Sequence, residues 1–294
     1  MNLAIHIGYH KTATTWLQRE VFTPTFGFSP LMGHKDVDRL ILQPHDLEFD
    51  ADTARCQLQQ SAGGYSVISS ENLSGHPFFG GRQSATLAHR LQKIAPHARI
   101  VITVRSQETM LPSVYMQYLQ RGGTLGHQAF FEGSSGFGYP GFELRHFQYH
   151  RLIALYQSLF EHVHVMTFEK ISQNADAAIS SLFHALGHAP PTGAALNRSR
   201  VSASMPQAIA PVLRAINHTR KSTLNPSPAL TLSREPGWMY RAITATARAR
   251  RVTSLLTSRP LSTYVSEQFS EAFTDSNRQL GLITKGTLDL SSYP

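Results

Sequence analysis

The stretch that decides the fold is residues 3–18, LAIHIGYHKTATTWLQ. Its first part, Leu3 to Ile7, is a short apolar run typical of a buried strand. Gly8 and the polar residues after it form a tight turn, and a helical pattern begins at Thr14. A strand that passes through such a turn into a helix points backbone N–H groups at an anion, and Lys11 adds a full positive charge. The stretch therefore predicts an α/β protein with a site for a phosphate-like group.

Further strand and helix patterns extend this arrangement along the chain. Strands are predicted at Tyr65 to Ser69, Ile100 to Val104 and Val163 to Phe168. Apolar residues at three-to-four spacing predict helices over Thr14 to Phe22, Arg82 to Ala95, Gln107 to Arg121, Leu144 to Phe160 and Ala175 to Leu186. Strands that alternate with helices favour α/β architecture: a single domain with a central parallel β-sheet flanked by helices.

Within this single domain of residues 1–294, we expect two parts. Residues 1–190 form the α/β core, and residues 191–294 form a mainly helical C-terminal cover, where no convincing strand is found. The Gly- and Ser-rich stretch Gly122 to Gly141 interrupts the core and is predicted to be a surface loop that shapes a cleft.

Composition limits the compartment. The chain has 294 residues and a single cysteine, Cys56. One cysteine excludes an intramolecular disulfide and a cysteine-based metal cluster. The sequence contains no signal-like segment and no run of about 20 apolar residues of the kind that spans a bilayer. We therefore expect a cytoplasmic protein without a transmembrane segment.

The charge of the chain indicates an anionic partner. The formal net charge is +8, and many of the basic residues lie between Arg214 and Arg259. Charge alone does not separate a nucleotide from an acidic polysaccharide, a nucleic acid or a membrane surface. The basic region is either a solvated helical surface or a binding surface, and a peripheral membrane contact is compatible with both interpretations.

A second anion-binding pattern follows the strand Ile100 to Val104. Arg105 stands at the carboxyl end of that strand, where an open α/β sheet usually binds its ligand. Ser113 lies eight residues later on the next helix, and a guanidinium with a hydroxyl suits a phosphate monoester. The first turn differs from the nucleoside-triphosphatase loop, which has a glycine directly before its lysine where this chain has His10.

The two patterns together resemble the PAPS-dependent sulfotransferase family, and in particular its bacterial and glycan-modifying branches. PAPS is 3′-phosphoadenosine 5′-phosphosulfate, and the first loop of the family commonly reads Lys-Thr-Gly-Thr-Thr after the first strand. The resemblance implies that Lys11 contacts the sulfuryl-bearing end of the donor and that Arg105 and Ser113 bind its 3′-phosphate. It implies that Thr12, Ala13, Thr14 and Thr15 hold the 5′-phosphate, and Gly8 and Trp16 are further donor-binding candidates of the same loop.

The donor site shows one departure from the family pattern and one further similarity to it. Ala13 replaces the glycine that is usual in the first loop, which puts the geometry of that loop in question. Asn197-Arg198-Ser199 resembles an asparagine-x-serine segment that many bacterial sulfotransferases carry after the core, so Asn197 and Ser199 are further donor-binding candidates.

A general base is predicted after the second strand. Glu71 lies at the same sheet edge as Lys11 and Arg105, and an acceptor hydroxyl needs a group that takes its proton. Glu71 resembles the base proposed in some glycan-modifying sulfotransferases. His10 is the rival base, and a capping or salt-bridging carboxylate is the alternative role for Glu71.

The acceptor is the least defined part of the prediction. Phe147, Tyr149 and His150 combine aromatic and polar groups, which suit the stacking and hydrogen bonding of a sugar, although the same pattern fits the buried face of a helix. The sequence thus predicts sulfuryl transfer from PAPS to a hydroxyl or amine of a glycan or glycoconjugate, with no metal and no nucleic-acid partner. The alternatives are a nucleotide-dependent kinase and a basic module that binds nucleic acid or another anionic polymer; the oligomeric state stays open.

Overall fold

A five-stranded parallel sheet forms the centre of the molecule. The computed structural model describes residues 2–60, 64–133, 141–191, 193–197, 205–228, 230, 233–234, 238–248 and 256–294. The sheet has the order β2-β3-β1-β4-β5. Its strands are β1 (Leu3–Gly8), β2 (Phe28–Met32), β3 (Tyr65–Ser69), β4 (Arg99–Val104) and β5 (Val163–Thr167).

The helices cover both faces of this sheet. The first, α1 (Thr14–Trp16), continues as a π-turn over Leu17–Val21. The other helices of the core are α2 (His34–Val37), α3 (Ala51–Gln60), α4 (Ser84–Ile94), α5 (Gln107–Gln120), α6 (His127–Phe131), α7 (Tyr149–Leu159), α8 (Phe168–Gln173) and α9 (Ala175–Leu186). The C-terminal part contributes α10 (Ala210–Asn217), α11 (Trp238–Arg248), α12 (Pro260–Phe269) and α13 (Thr274–Ile283).

Burial explains why β1 lies in the middle. All six of its residues are buried, and Ile5 pairs with Ile68 of β3 on one side and with Ile100 of β4 on the other. A parallel strand that is covered on both faces is expected to be apolar throughout. His6 is the exception within β1, since it is polar and has no exposed surface.

The strand order creates a crevice beside β1. The chain first adds strands on the β3 side and then moves to β4 and β5 on the opposite side. In sheets of this kind a ligand binds outside the carboxyl ends of the strands, at the point where the order reverses. The turns after β1, β3 and β4 therefore frame the candidate site. Within the described ranges, no helix is both long and apolar enough to cross a membrane.

The predicted fold class is confirmed, with several local corrections. The bounds of β3 and α9 agree with the prediction. The strand β2 was not predicted, because its sequence FSPLM contains a proline and no β-branched residue. Such a strand is tolerated at the edge of a sheet, where β2 pairs only with β3. The C-terminal part also contains two short paired strands, β6 (Arg220–Lys221) and β7 (Ser233–Arg234).

Two other predictions are wrong in detail. The stretch Gly122 to Gly141 is not simply a surface loop, because it contains α6, whose Phe130 and Phe131 are buried in the core; residues 134–140 lie outside the described part of the chain. The predicted helix Leu144 to Phe160 consists of a 3-10 turn, Leu144–Phe147, followed by α7.

Candidate active site

The turn after β1 has an unusual backbone. Lys11 and Ala13 both have left-handed conformations, with φ of 65° and 67°. Non-glycine residues disfavour this region by about 1–2 kcal/mol, so the position of Ala13 is one that favours glycine. Alternating conformations of this kind form concave sites in which successive N–H groups point at an anion. The substitution of the usual glycine by alanine thus leaves the turn in place at an energetic cost.

A buried hydrogen-bond chain holds this turn on the sheet. The Thr12 hydroxyl donates to the Tyr9 carbonyl oxygen at 2.5 Å and lies 2.7 Å from Thr103 Oγ1. His6 joins the chain from below, with Nε2 3.1 Å from Thr103 Oγ1 and Nδ1 2.8 Å from Ser69 Oγ. The chain therefore crosses β3, β1 and β4 and ends in the turn.

The direction of this chain follows from the number of protons available. Because the Thr12 hydroxyl donates to a carbonyl, it must accept from Thr103, whose own oxygen then accepts from His6 Nε2–H. His6 Nδ1 is left to accept from the Ser69 hydroxyl, which in turn accepts from Gln18 Nε2 at 3.2 Å. His6 is thus a neutral imidazole protonated on Nε2. Burial agrees with this state, since it lowers the pKa of His6 from 6.5 to about 3.

Arg105 leaves the end of β4 beside the same turn. One guanidinium nitrogen donates to the Lys11 carbonyl oxygen at 3.2 Å, and Nε donates to Thr109 Oγ1 at 2.9 Å. The guanidinium carbon also lies 4.5 Å from the centre of the Phe168 ring. Ser113 donates to the Thr109 carbonyl oxygen at 3.0 Å. Arg105 and Ser113 thus each bond to Thr109, Arg105 to its hydroxyl and Ser113 to its carbonyl oxygen.

The backbone behind Arg105 is fixed by the C-terminal residues. Glu169 of α8 accepts the Ser106 N–H at 3.0 Å through one oxygen and the Tyr293 hydroxyl at 3.1 Å through the other. The Ser106 hydroxyl donates to the Ser292 carbonyl oxygen at 2.7 Å. The Glu169 carboxylate thus connects the backbone at Ser106 to Tyr293 and holds this C-terminal segment at the edge of the donor site.

Glu71 lies on the other side of the turn after β1. It begins a 3-10 turn, Glu71–Ser74, which Ser70 caps by accepting the Asn72 N–H at 3.3 Å. Glu71 Oε1 is 3.9 Å from His10 Nε2, and Glu71 is partly exposed. The carboxylate is therefore accessible from the crevice and adjacent to the predicted loop.

The contact between His10 and Glu71 is not an ion pair at neutral pH. Burial, followed by the charges of His76, His146, Lys11 and Arg121, lowers the pKa of His10 well below its usual range. The imidazole is therefore neutral. A base whose pKa is far below the working pH removes a proton inefficiently.

The predicted acceptor residues are corrected by their burial. Phe147 and Tyr149 each have 0% exposed surface, so neither ring can stack against an acceptor. The Tyr149 hydroxyl instead donates to the Arg105 carbonyl oxygen at 2.7 Å, and its ring packs on Tyr9. His150 lies 2.8 Å from Ser276 of α13 through Nδ1. The alternative interpretation, a buried helix face, describes Phe147 and Tyr149.

The remaining loop candidates divide into exposed and buried groups. Lys11 and Ala13 are partly exposed and Thr15 is exposed, so their surfaces are open to a ligand. Thr12 and Thr14 are buried; the Thr12 hydroxyl is bonded within the turn, whereas Thr14 Oγ1 has no hydrogen-bond partner among the described residues.

Gly8 is needed for the same packing, because a Cβ at this position would overlap the hydroxyls of Thr14 and Thr103. The Trp16 indole N–H donates to the Asn197 carbonyl oxygen at 3.0 Å, which brings two distant donor candidates together. Ser199 lies outside the described residues.

Sequence reasoning did not identify several residues that build this site. His6, Thr103, His76, Glu169 and Tyr293 are all absent from the predicted set. A sequence signal exists only for His6 and Thr103, which are polar residues within otherwise apolar strands. Glu169 and Tyr293 meet only through the tertiary fold, since 124 residues separate them.

Comparison with known proteins concerns the fold. No protein-family model matches the sequence, and no curated protein matches it significantly. The chain is similar to the sulfotransferase from Alicyclobacillus acidocaldarius, with a TM-score of 0.50, 16% identity and coverage of 88% of this chain and 96% of that chain. It also aligns with mouse sulfotransferase SULT7A1 complexed with PAP, with a TM-score of 0.42, 12% identity and coverage of 96% and 88%. By its likeness to the Alicyclobacillus protein, this chain has the sulfotransferase fold.

Proposed function

We propose that this protein is a sulfotransferase that transfers a sulfuryl group from PAPS to a hydroxyl or amine of a glycan or glycoconjugate. The observation that carries the proposal is the convergence of Lys11, Glu71 and Arg105 from three turns on one edge of the sheet. Arg105 bonds to the Lys11 backbone, and Glu71 lies 3.9 Å from His10 in the same turn. Shared fold alone does not define an activity, so these side chains carry the argument.

The donor side supplies two cationic groups with different tasks. Arg105 and Ser113, joined through Thr109, bind the 3′-phosphate that distinguishes PAPS from ordinary adenine nucleotides. Lys11 binds near the bond that breaks and stabilises the negative charge that develops on the leaving phosphate oxygen. The turn after β1 is already held in place by Thr12, so little reorganisation accompanies binding.

On the acceptor side, Glu71 is the general base. It takes the proton of the acceptor hydroxyl while that oxygen forms a bond to sulfur and the bond between sulfur and the bridging phosphate oxygen breaks. The products are a sulfate ester and adenosine 3′,5′-bisphosphate, so atoms and charge balance. The neutral, buried His10 lies beside Glu71, with 3.9 Å between Nε2 and the carboxylate oxygen.

A glycan acceptor is supported by the surface next to Glu71. Phe79 ends the 3-10 turn Pro77–Phe79 and is 53% exposed, with its ring 5.2 Å from that of His76. An exposed aromatic face beside polar imidazoles matches the two faces of a sugar, which stacks through its C–H groups and bonds through its hydroxyls. Phe79 and His76 thus replace Phe147 and Tyr149 as the proposed acceptor contacts.

The donor assignment is tested by thermal unfolding with nucleotides. Adenosine 3′,5′-bisphosphate at about 100 times its dissociation constant is expected to stabilise the protein by about 2.7 kcal/mol, because it binds only the folded state. Adenosine 5′-monophosphate and ATP are the controls, and both are expected to stabilise the protein much less. Equal stabilisation by all three nucleotides would remove the case for a 3′-phosphate site, and greater stabilisation by ATP would favour a kinase.

The acceptor assignment is tested by transfer. The enzyme is incubated with isotopically labelled PAPS and separate panels of polysaccharides, lipid-linked sugars and phenols. Saturable transfer to a glycan supports the proposal, whereas efficient transfer to phenols with none to any glycan would contradict it.

A further inference from the structure

The helix α5 begins beside Arg105 of the proposed donor site, and its last turns pack against Phe78 on the acceptor side. Thr109, Ser113, Gln117 and Arg121 follow one another at four-residue spacing, which places them on one side of the helix. None of the four is fully buried, whereas most other residues of α5 are. We call these four residues the α5 stripe. Its first two members lie at Arg105, and its last member ends the helix.

The acceptor side packs against the last turns of this helix. The Phe78 ring contacts the Tyr118 ring of α5 edge-on, with 5.6 Å between the centroids. This contact holds the turn Pro77–Phe79 next to the end of the α5 stripe. The exposed Phe79 and the end of α5 therefore border the same part of the crevice.

Two imidazoles lie between Glu71 and Arg121. The rings of His10 and His76 are 5.3 Å apart. Burial, followed by the charge of Arg121, lowers the pKa of His76 to about 4. Arg121 also contributes to the lowered pKa of His10. The packing agrees with this effect: the His76 ring lies 4.7 Å from the Phe78 ring, and Phe78 packs on Tyr118 of α5, which precedes Arg121 by three residues.

Unsatisfied buried atoms mark this space as a binding site. His10 is only 2% exposed, and its Nδ1 has no hydrogen-bond partner among the described residues. Gln117 Oε1, on the α5 stripe, is also buried without a partner in the described part of the chain. Buried polar atoms are hydrogen-bonded in most proteins, so these two groups are expected to bond to a ligand.

Arg121 and Lys11 are the basic side chains that act on this space, and Glu71 is the carboxylate beside His10. Arg121 is exposed and forms no ion pair with any residue that the structure describes. The nearby Glu143 is already paired with Arg82. His10 and His76 are neutral at neutral pH, so neither imidazole supplies a counter-charge for Arg121.

We propose that Arg121 binds an anionic substituent of the acceptor, so that the acceptor is a sugar that already carries a carboxylate or a sulfate ester. A guanidinium suits both groups, since each offers paired oxygens. The sugar lies with its reacting hydroxyl at Glu71, its apolar face on Phe79 and its anionic group at Arg121. The identity of the reacting hydroxyl rests on the proposed sulfotransferase function, whereas the binding of the anion does not.

The test measures binding without turnover. The imidazole C–H signal of His76 is followed by NMR during titration with methyl glucuronide, methyl glucoside 6-sulfate and the neutral methyl glucoside. Both anionic sugars are expected to bind about tenfold more tightly than the neutral one, the effect of one charge-assisted hydrogen bond. Arg121→Gln is expected to abolish this preference and Arg121→Lys to keep part of it. Arg151→Gln, which removes an exposed arginine of α7, serves as the matched control and is expected to change nothing.

Each outcome either supports or overturns the proposed role of Arg121. Preference for only one anionic sugar identifies which substituent Arg121 binds. The inference is overturned if neither anionic sugar shifts the His76 signal saturably, if all three bind equally, or if Arg121→Gln keeps the preference. If the preference depends on Arg121 but no sulfuryl transfer is ever observed, the anion site stands and only the proposed function fails.

Discussion

The turn after β1 and the pocket around His10 lie side by side, yet their polar groups are satisfied in different ways. Thr12 and Thr103 direct their hydrogen bonds inward, into a chain that ends on the protein backbone. His10 Nδ1 and Gln117 Oε1 have no such partner among the described residues. The side of the turn that faces the sheet is thus bonded before ligand arrives, whereas the pocket around His10, like Thr14 Oγ1 at the start of α1, keeps polar atoms that a ligand can satisfy.

The largest expected effect is a loss of folding stability in acid, to which two buried histidines contribute. His6 and His146 have pKa values lowered by burial from 6.5 to about 3. Below a pH of about 6.5 the unfolded chain binds protons at these two positions and the folded chain does not. The free energy of unfolding is therefore at its full value above that pH and falls as the pH decreases towards about 3. Each histidine is expected to contribute a loss of about 1.4 kcal/mol per pH unit. Urea unfolding at a series of pH values measures this slope. His146→Gln should make the slope shallower, and a flat profile down to pH of about 5 would contradict the assignment.

The second effect concerns the donor side alone. Lys11→Ala removes the charge that stabilises the leaving group and is expected to lower kcat by about 10³-fold. Because Lys11 is partly exposed, the midpoint of thermal unfolding should change little. Steady-state kinetics with labelled PAPS provide the measurement. Ordinary turnover in this variant would mean that another cation performs the task.

The matching change on the acceptor side is Glu71→Gln. It keeps the shape of the side chain but removes the base, so kcat is expected to fall about 10²-fold while the affinity for adenosine 3′,5′-bisphosphate is retained. Calorimetric titration and kinetics separate these two quantities. Loss of nucleotide affinity together with kcat would show that the two sides are not independent.

Breaking the hydrogen-bond chain tests whether the donor side is preorganised. Thr12→Val keeps the volume but removes the hydroxyl, which leaves the Tyr9 carbonyl and the Thr103 hydroxyl without their partner. The expected cost is about 1–3 kcal/mol in the free energy of unfolding, with weaker nucleotide binding. Thr12→Ser retains the hydroxyl and is the control. Equal stability of the two variants would show that the chain does not hold the turn.

The smallest expected effect is a gain in folding stability. Ala13→Gly relieves a left-handed residue, and after the added entropy of the unfolded chain the net stabilisation is expected to be about 0.5 kcal/mol. Ala13→Val should be destabilising, since a branched side chain tolerates this conformation less well. Denaturant unfolding compares the three proteins. A loss of stability in Ala13→Gly would show that the backbone there is not strained.

The sequence predicted the parts of the fold whose evidence is local. The strand β3 and the helix α9 have complete apolar patterns, so their bounds could be read from neighbouring residues. The strand β2 has no such pattern, because its conformation depends on pairing with β3 along the edge of the sheet. Local patterns likewise failed between Phe147 and Tyr149, where a change from 3-10 turn to α-helix turns both rings inward.

The candidate site shows the same limit. The position of Lys11, Glu71 and Arg105 at one edge of the sheet was predictable, because each stands in the turn that follows a strand and parallel strands end at one edge. The contacts of Glu169 with Ser106 and Tyr293 were not, since they join residues 63 and 124 positions apart. His6 is a polar residue in an apolar strand, a signal that the sequence analysis did not use, and its role depends on the positions of Ser69 and Thr103.

The hydrogen-bond chain through His6 also has an electrostatic consequence. Every link donates in the same direction, from Gln18 through Ser69, His6 and Thr103 to Thr12. Hydrogen bonds that run in one direction polarise one another, so their dipoles reinforce instead of cancelling. The hydrogen-bearing ends are those nearer the turn after β1, where the dipoles add to the potential that attracts an anion. A row of five neutral side chains thereby does at this turn what the aligned peptide groups of a long helix do at its N-terminus, where α1 has only three residues.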